Sequence, residues 1–72
     1  MRLRWLPDGM TGQAWRGLDD ENHYIGQVVR YDLPPGFRGY VRGYPITGRW
    51  PTAEEAIAAV EGVVERSEIG KQ

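Results

Sequence analysis

The sequence predicts an α+β domain: an antiparallel sheet of three strands, or four, with one C-terminal helix packed on a single face. Two observations predict it. Phe37-Arg38-Gly39-Tyr40-Val41-Arg42-Gly43-Tyr44 alternates at period two, the mark of a strand with one wet face. Thr52-Ala53-Glu54-Glu55 opens a stretch whose apolar residues recur at three- and four-residue spacing, the mark of an amphipathic helix. One helix can cover only one face of a sheet, so the other face stays in water.

The elements follow in order. Residues 2–6 read as a short strand, and Leu6-Pro7-Asp8-Gly9 as a turn in which Pro7 presets φ. Gln13-Ala14-Trp15-Arg16-Gly17-Leu18 is a second strand, and Asp19-Asp20-Glu21-Asn22 a polar hairpin loop. His23 to Tyr31 is rich in β-branched and aromatic residues and makes a third. Asp32-Leu33-Pro34-Pro35-Gly36 interrupts it, because two prolines lack ladder donors. The alternating strand over 37–44 comes next. Pro45 ends it, and 46–49 form a loop.

In the helix, Thr52 is the N-cap and Glu55 stands at N3, a capping box. Glu54 and Glu55 also suit the positive end of the helix dipole. Ala53, Ala56, Ile57, Val60, Val63 and Val64 form the apolar stripe, with Val60 at its centre. Glu54, Glu61 and Glu65 lie off it. Gly62 costs about 1 kcal/mol relative to alanine in a helix interior. With Ala58 one turn earlier, it leaves room for a neighbouring backbone. Gly70 is a stop signal, and residues 67–72 are expected to fray.

The expected core contains Phe37, Val41 and Trp15, with either the Ile25/Val29 set or Val28. Gly39 and Gly43 would let the helix come close. At least two of Trp5, Trp15 and Trp50 belong to the core, since each buries a large area. Trp50 is expected to fold over the helix start; a stacking platform is the alternative.

At 72 residues the chain is one domain, 1–72, and 40% hydrophobic residues exclude a disordered tail. There is no cysteine, so neither disulfides nor a thiolate zinc site staples the fold. The net charge is −1 and the pI near 5.7, which counts against a dedicated nucleic-acid binder. The charges are segregated, however. From His23 to Trp50 the balance is +3 (Arg30, Arg38, Arg42 and Arg49 against Asp32). From Thr52 to Arg66 it is −3 (Glu54, Glu55, Glu61 and Glu65 against Arg66). A molecule with two electrically distinct sides is expected. No apolar run approaches the roughly 20 residues of a membrane span, and the first residues do not read as a signal peptide. A soluble cytoplasmic protein without membrane contact is the expectation.

No catalytic constellation is legible. His23 is the sole histidine, and Asp19, Asp20 and Glu21 crowd one polar turn without the spacing of a calcium loop. Ser67 sits in the tail, and no glycine run precedes a Gly-Lys-Ser/Thr phosphate loop. The expectation is therefore no enzyme, no catalytic residue, no metal and no cofactor. The wet side of the alternating strand presents Arg38, Tyr40, Arg42 and Tyr44, flanked by Arg30, with Arg16 and Trp50 as secondary candidates. Arginine and tyrosine are enriched at interface hot spots, and the same mixture can grip phosphates and stack on bases. A merely solvated sheet also favours tyrosine cross-strand pairs. Contact with a protein partner is the preferred reading and contact with nucleic acid the alternative. The glutamate-rich helix would repel a polyanion. A homodimer through Tyr40, Tyr44 and the Ala58/Gly62 turn is a further candidate.

Leu3-Arg4-Trp5, Trp15, Tyr24-Ile25, Tyr40-Val41 and Gly48-Arg49-Trp50-Pro51-Thr52-Ala53-Glu54-Glu55-Ala56 occur in an order that resembles small uncharacterised proteins of phages and prophages. Some phage proteins of this size are anti-CRISPR or other host-defence inhibitors. The resemblance implies binding to a host or phage protein without chemistry. The strand–strand–strand–helix order also resembles the AP2-like arm-binding domain of phage integrases, which implies a sheet that reads DNA. The acidic balance of this chain departs from that family.

Overall fold

The computed structural model describes residues 2–9 and 13–69. Five strands and one helix follow one another: β1 (Arg4–Pro7), β2 (Ala14–Leu18), β3 (Tyr24–Asp32), β4 (Pro35–Val41), β5 (Tyr44–Pro45) and α1 (Ala53–Ile69). All pairings are antiparallel between neighbours in sequence, so the sheet is a meander in the order β1-β2-β3-β4-β5. The helix lies across β3 and β4 on one face. The architecture is the expected α+β sheet with a single packed helix, and its strands number five rather than three or four. No helix among the described residues is long and apolar enough to cross a membrane.

The extra strand comes from the segment that the alternation marked as one strand over 37–44. Alternation holds only to Val41. Arg42 and Gly43 take left-handed φ values of 50° and 85°, and the chain reverses so that Tyr44 pairs with Val41. Two consecutive positive φ angles make the two-residue hairpin turn whose twist matches the strands. Gly43 therefore does not lie under the helix. The neighbouring boundaries move too. Pro7 belongs to β1, and the Asp8 N–H still donates to the Ala14 carbonyl at 2.8 Å, so the first connection falls later than expected. Leu33 and Pro34 alone join β3 to β4.

Directly paired residues share a face. One face carries Trp5, Gly17, Gly26 and Val41 in one row, and Trp15, Val28 and Gly39 in the next. Val28, not Val29, is thus the inward residue in the middle of β3, while Ile25, beside a β-bulge, also packs against the core. A bulge between Gly17 and Leu18 sets Tyr24 opposite Leu18, on the other face. Leu3, Val28, Ala56, Val60 and Val64 are buried, and Trp5, Trp15, Phe37, Val41, Ile46 and Trp50 pack around them. The Trp15 and Phe37 rings meet at 5.9 Å with a 48° tilt.

The helix sits where two glycines remove side chains. A β-carbon placed on Gly39 would stand 2.5 Å from Val60 Cγ2, and one on Gly26 would stand 2.7 Å from Val60 Cγ1. Val60 fills the gap between two adjacent strands. The Ala58–Gly62 turn is open within the chain: Ala58 is exposed, and only Arg66 Nη1, at 3.5 Å, approaches the place of a Gly62 β-carbon. No other described chain segment closes on that turn.

The Thr52 hydroxyl accepts the Glu55 N–H at 3.2 Å and approaches Glu55 Oε2 at 3.1 Å, which supplies the expected cap. The helix runs to Ile69, and Gly70, Lys71 and Gln72, the rest of the segment expected to fray, lie outside the described residues. Glu61 is half-buried and ties the helix to the first strand. Its Oε2 accepts the Leu3 N–H at 2.9 Å and the Trp5 Nε1–H at 3.0 Å.

Two stability predictions follow from these contacts. Gly39→Ala destabilises by about 1–3 kcal/mol in urea titration, as overpacking does. In a Val60→Ala background the same change costs clearly less, because the clashing methyl is gone. Equal costs in both backgrounds would rule out Val60 as the partner of Gly39. Glu61→Ala costs about 1–3 kcal/mol, since it orphans two donors at once. An unchanged urea midpoint would remove Glu61 as the tie between β1 and α1.

Candidate functional site

The face that the helix leaves open is defined by the same register. One of its rows runs Leu6, Arg16, Gln27, Tyr40, Pro45, and the next runs Ala14, Val29, Arg38. Beyond them Tyr31 pairs with Gly36. Tyr40 and Tyr31 thus flank the Val29–Arg38 row. Their hydroxyls meet at 2.7 Å, so the two phenols arch across that row. Arg38 Nε is buried and makes no hydrogen bond.

A second arginine reaches this place from outside the strands. Phe37 and Trp50 exchange backbone hydrogen bonds, Phe37 N–H to Trp50 O at 2.8 Å and Trp50 N–H to Phe37 O at 2.9 Å. That bridge turns the Trp50 ring toward the core beside Phe37. Alternation then sends Arg49 to the open face. Its aliphatic stem lies on Gly36, where a β-carbon would come within 2.6 Å of both Cγ and Cδ. Gly36 has a φ of 144°, a conformation unfavourable to other residues, so its missing side chain and its backbone both fit the role. Tyr31, Leu33, Pro34, Arg38 and Arg49 line a concavity of about 200 Å³. Leu33 is 93% exposed at its rim. Among the described residues neither lining arginine takes part in an ion pair.

The residues singled out in the sequence do not all come together. Arg38, Tyr40 and Arg16 share the open face. Arg30 pairs with Phe37 and so belongs to the helix side, at the far end of the sheet, 3.8 Å from Asp32. Arg42 is in the β4–β5 turn. Tyr44 lies opposite Val41, on the helix side of the edge strand, and is 77% exposed. Tyr40 and Tyr44 therefore face opposite ways and do not make one patch for self-association. Trp50 is part of the core rim rather than an open stacking platform. Tyr31 and Arg49 are additions that sequence reasoning missed. Once Val28 is inward, parity places Tyr31 outward, and once Trp50 is inward it places Arg49 outward.

The charges separate by layer. Arg16, Arg38 and Arg49 stand on the open face, while exposed Glu54 and Glu55 stand on the helix that covers the other. The acidic turn serves the backbone: Asp19 Oδ1 accepts the N–H groups of Glu21 and His23, each at 2.9 Å. The hydrogen bond from the His23 backbone is the main cause that lowers the Asp19 pKa. Burial, then the nearby Asp8 charge, raises that of Tyr24, with Arg16 opposing. The bond to Tyr31 is the main cause that raises that of Tyr40; Arg38 opposes it. Such an array can bind. Guanidinium forks grip carboxylates or phosphates, and tyrosine rings offer rigid apolar area with a polar tip.

Comparison with protein-family models, with curated proteins and with solved structures finds no match.

Tyr31→Phe tests the phenol arch. Without its partner, Tyr40 titrates closer to the ordinary value of 10.0, read by the pH dependence of its ring NMR signals. A folded pKa above the unfolded one adds stability that is present below about pH 10 and is lost as pH rises through the folded value. Tyr31→Phe reduces that alkaline loss; the part that comes from burial of Tyr40 remains. An unshifted Tyr40 titration would mean that the hydroxyl bond does not persist in solution.

Proposed function

We propose that the chain is a non-catalytic binding module, an inhibitor or adaptor, that docks an acidic protein surface through the open sheet face. The supporting observation is the joined Tyr31–Tyr40 pair beside Arg38, on a sheet face that no other described element covers. Rigid tyrosines supply contact area at low entropic cost, and arginines supply charge selection. On this reading the likeness to small phage proteins reflects a shared mode of action, binding a host or phage protein without chemistry. The glutamates of the helix face away from the partner and keep the free protein acidic overall. Binding of nucleic acid is the competing reading, favoured by the three arginines on one face.

Salt and substitution separate the two. Nucleic acid gripped through Arg16, Arg38 and Arg49 would bind with a log–log salt slope of about −3. Docking on a protein leans on the tyrosines, so Tyr40→Ala weakens it at least as much as Arg38→Ala. The test is partner retrieval from cell lysate with and without nuclease, comparing the native chain with an Arg16/Arg38/Tyr40 triple-alanine variant. Nuclease-resistant partners lost by the variant are the expected result. Equal retrieval by the variant would sink the proposal, and loss of every partner to nuclease would transfer it to nucleic acid.

A further inference from the structure

The concavity beside Arg38 has a chemistry of its own. Its lining divides into two parts. Arg38 and Arg49 bring two positive charges, and neither lies in an ion pair among the described residues. Arg38 Nε–H is a buried donor without an acceptor, so the packing around this arginine leaves one hydrogen bond unmade. Tyr31, Leu33 and Pro34 form the other part, and Leu33 is almost wholly exposed at the rim. An isolated large aliphatic side chain on a surface is ordinary. One that borders a doubly cationic hollow gives that hollow an apolar lip. A volume near 200 Å³ suits a single side-chain head group rather than an extended ligand.

We infer that this hollow is a carboxylate pocket: it seats one acidic side chain of the docked protein between Arg38 and Arg49, with an adjoining apolar residue against Leu33 and Pro34. The inference rests on the docking reading and specifies its anchor. Two guanidinium groups match a planar carboxylate by paired N–H donors. The apolar lip selects against a bare anion. A phosphodiester would use the same charges but leave Leu33 uncovered, since each phosphate is flanked by further charge.

The arginine side-chain Nε–Hε signals report on the site directly in ¹H–¹⁵N spectra. The probes are acetyl-Glu-Leu-amide, its Gln-Leu and Glu-Ser counterparts, inorganic phosphate and a short oligothymidylate. Acetyl-Glu-Leu-amide is expected to shift the Arg38 and Arg49 signals saturably. The Gln-Leu peptide, or Arg49→Gln in the protein, weakens it at least about tenfold, the loss of one charge-assisted interaction. Leu33→Ser weakens Glu-Leu binding severalfold and leaves the Glu-Ser affinity unchanged. Arg49 and Leu33 are both exposed, so these variants keep the fold, and their backbone spectra verify it. Phosphate or oligothymidylate binding as tightly as Glu-Leu overturns the carboxylate assignment. No saturable shift at Arg38 and Arg49 with any probe overturns the pocket itself. In that case the docking reading still stands or falls separately, on the Arg16 and Tyr40 substitutions.

Discussion

The contact between Val60 and the two glycines opposite it is the constraint from which the rest of the structure follows. A helix packed on a sheet normally rides on the side chains between them. Here Gly26 and Gly39 provide none, and the two methyls of Val60 descend into the space. Those glycines are not in one row of the sheet. Gly26 pairs with Val41 and Gly39 with Val28, so Val60 is held on the diagonal between β3 and β4. That position fixes the helix in translation as well as in height. Val64 and Ala56, one turn to either side, are then buried too, and Glu61 comes within reach of Leu3 and Trp5. One carboxylate thereby joins the first strand to the last element of the chain.

The same contact decides which face of the sheet is left open. Val28 and Gly39 must look toward the helix, so Val29, Tyr31, Arg38 and Tyr40 look away. The open face is therefore the complement of the core rather than an independent design. Chain reversal at Arg42-Gly43 then limits it. Without that turn the alternating row would run on through Tyr44. With it, the row stops at Tyr40, and the returning chain passes through β5 and brings Arg49 back across Gly36. The cluster that lines the hollow is assembled from β3, the β3–β4 connection, β4 and the segment before the helix. No single stretch of sequence contains it.

Local periodicity made the helix, its Thr52 cap, the inward Phe37 and Val41 and the outward Arg38 and Tyr40 legible in the sequence, because each depends only on near neighbours. The β4–β5 turn was not legible. Arg-Gly is an unusual pair for a two-residue turn with two positive φ angles, where Asn-Gly or Asp-Gly is the common signal. Arg42 also keeps the alternation intact, so the pattern gives no sign of reversal. Arg30 was misplaced for a related reason. The inward set of β3 stayed open between Val28 and Val29, and that one-residue difference sends every side chain of the strand to the other face. Tyr31 was lost with the same ambiguity. Arg49 was beyond sequence reasoning altogether, since its place depends on the Phe37–Trp50 bridge between segments far apart in the chain.

A sheet that merely needed solubility would have simpler ways to be wet. Cross-strand tyrosine pairs alone account for Tyr31 and Tyr40, and surface arginines alone account for solubility. Neither accounts for the state of Arg38. An orphaned buried donor costs about 1–3 kcal/mol. A domain of 72 residues has only a few kcal/mol of net stability to set against that loss. Replacing Arg38 by a shorter polar residue would remove the cost and keep the sheet wet. Arg49 adds a second positive charge to the same hollow, and neither arginine is in an ion pair among the described residues. On the proposed reading, a bound carboxylate would neutralise both arginine charges. On that reading, charge left unpaired in the free protein becomes part of the driving force for docking.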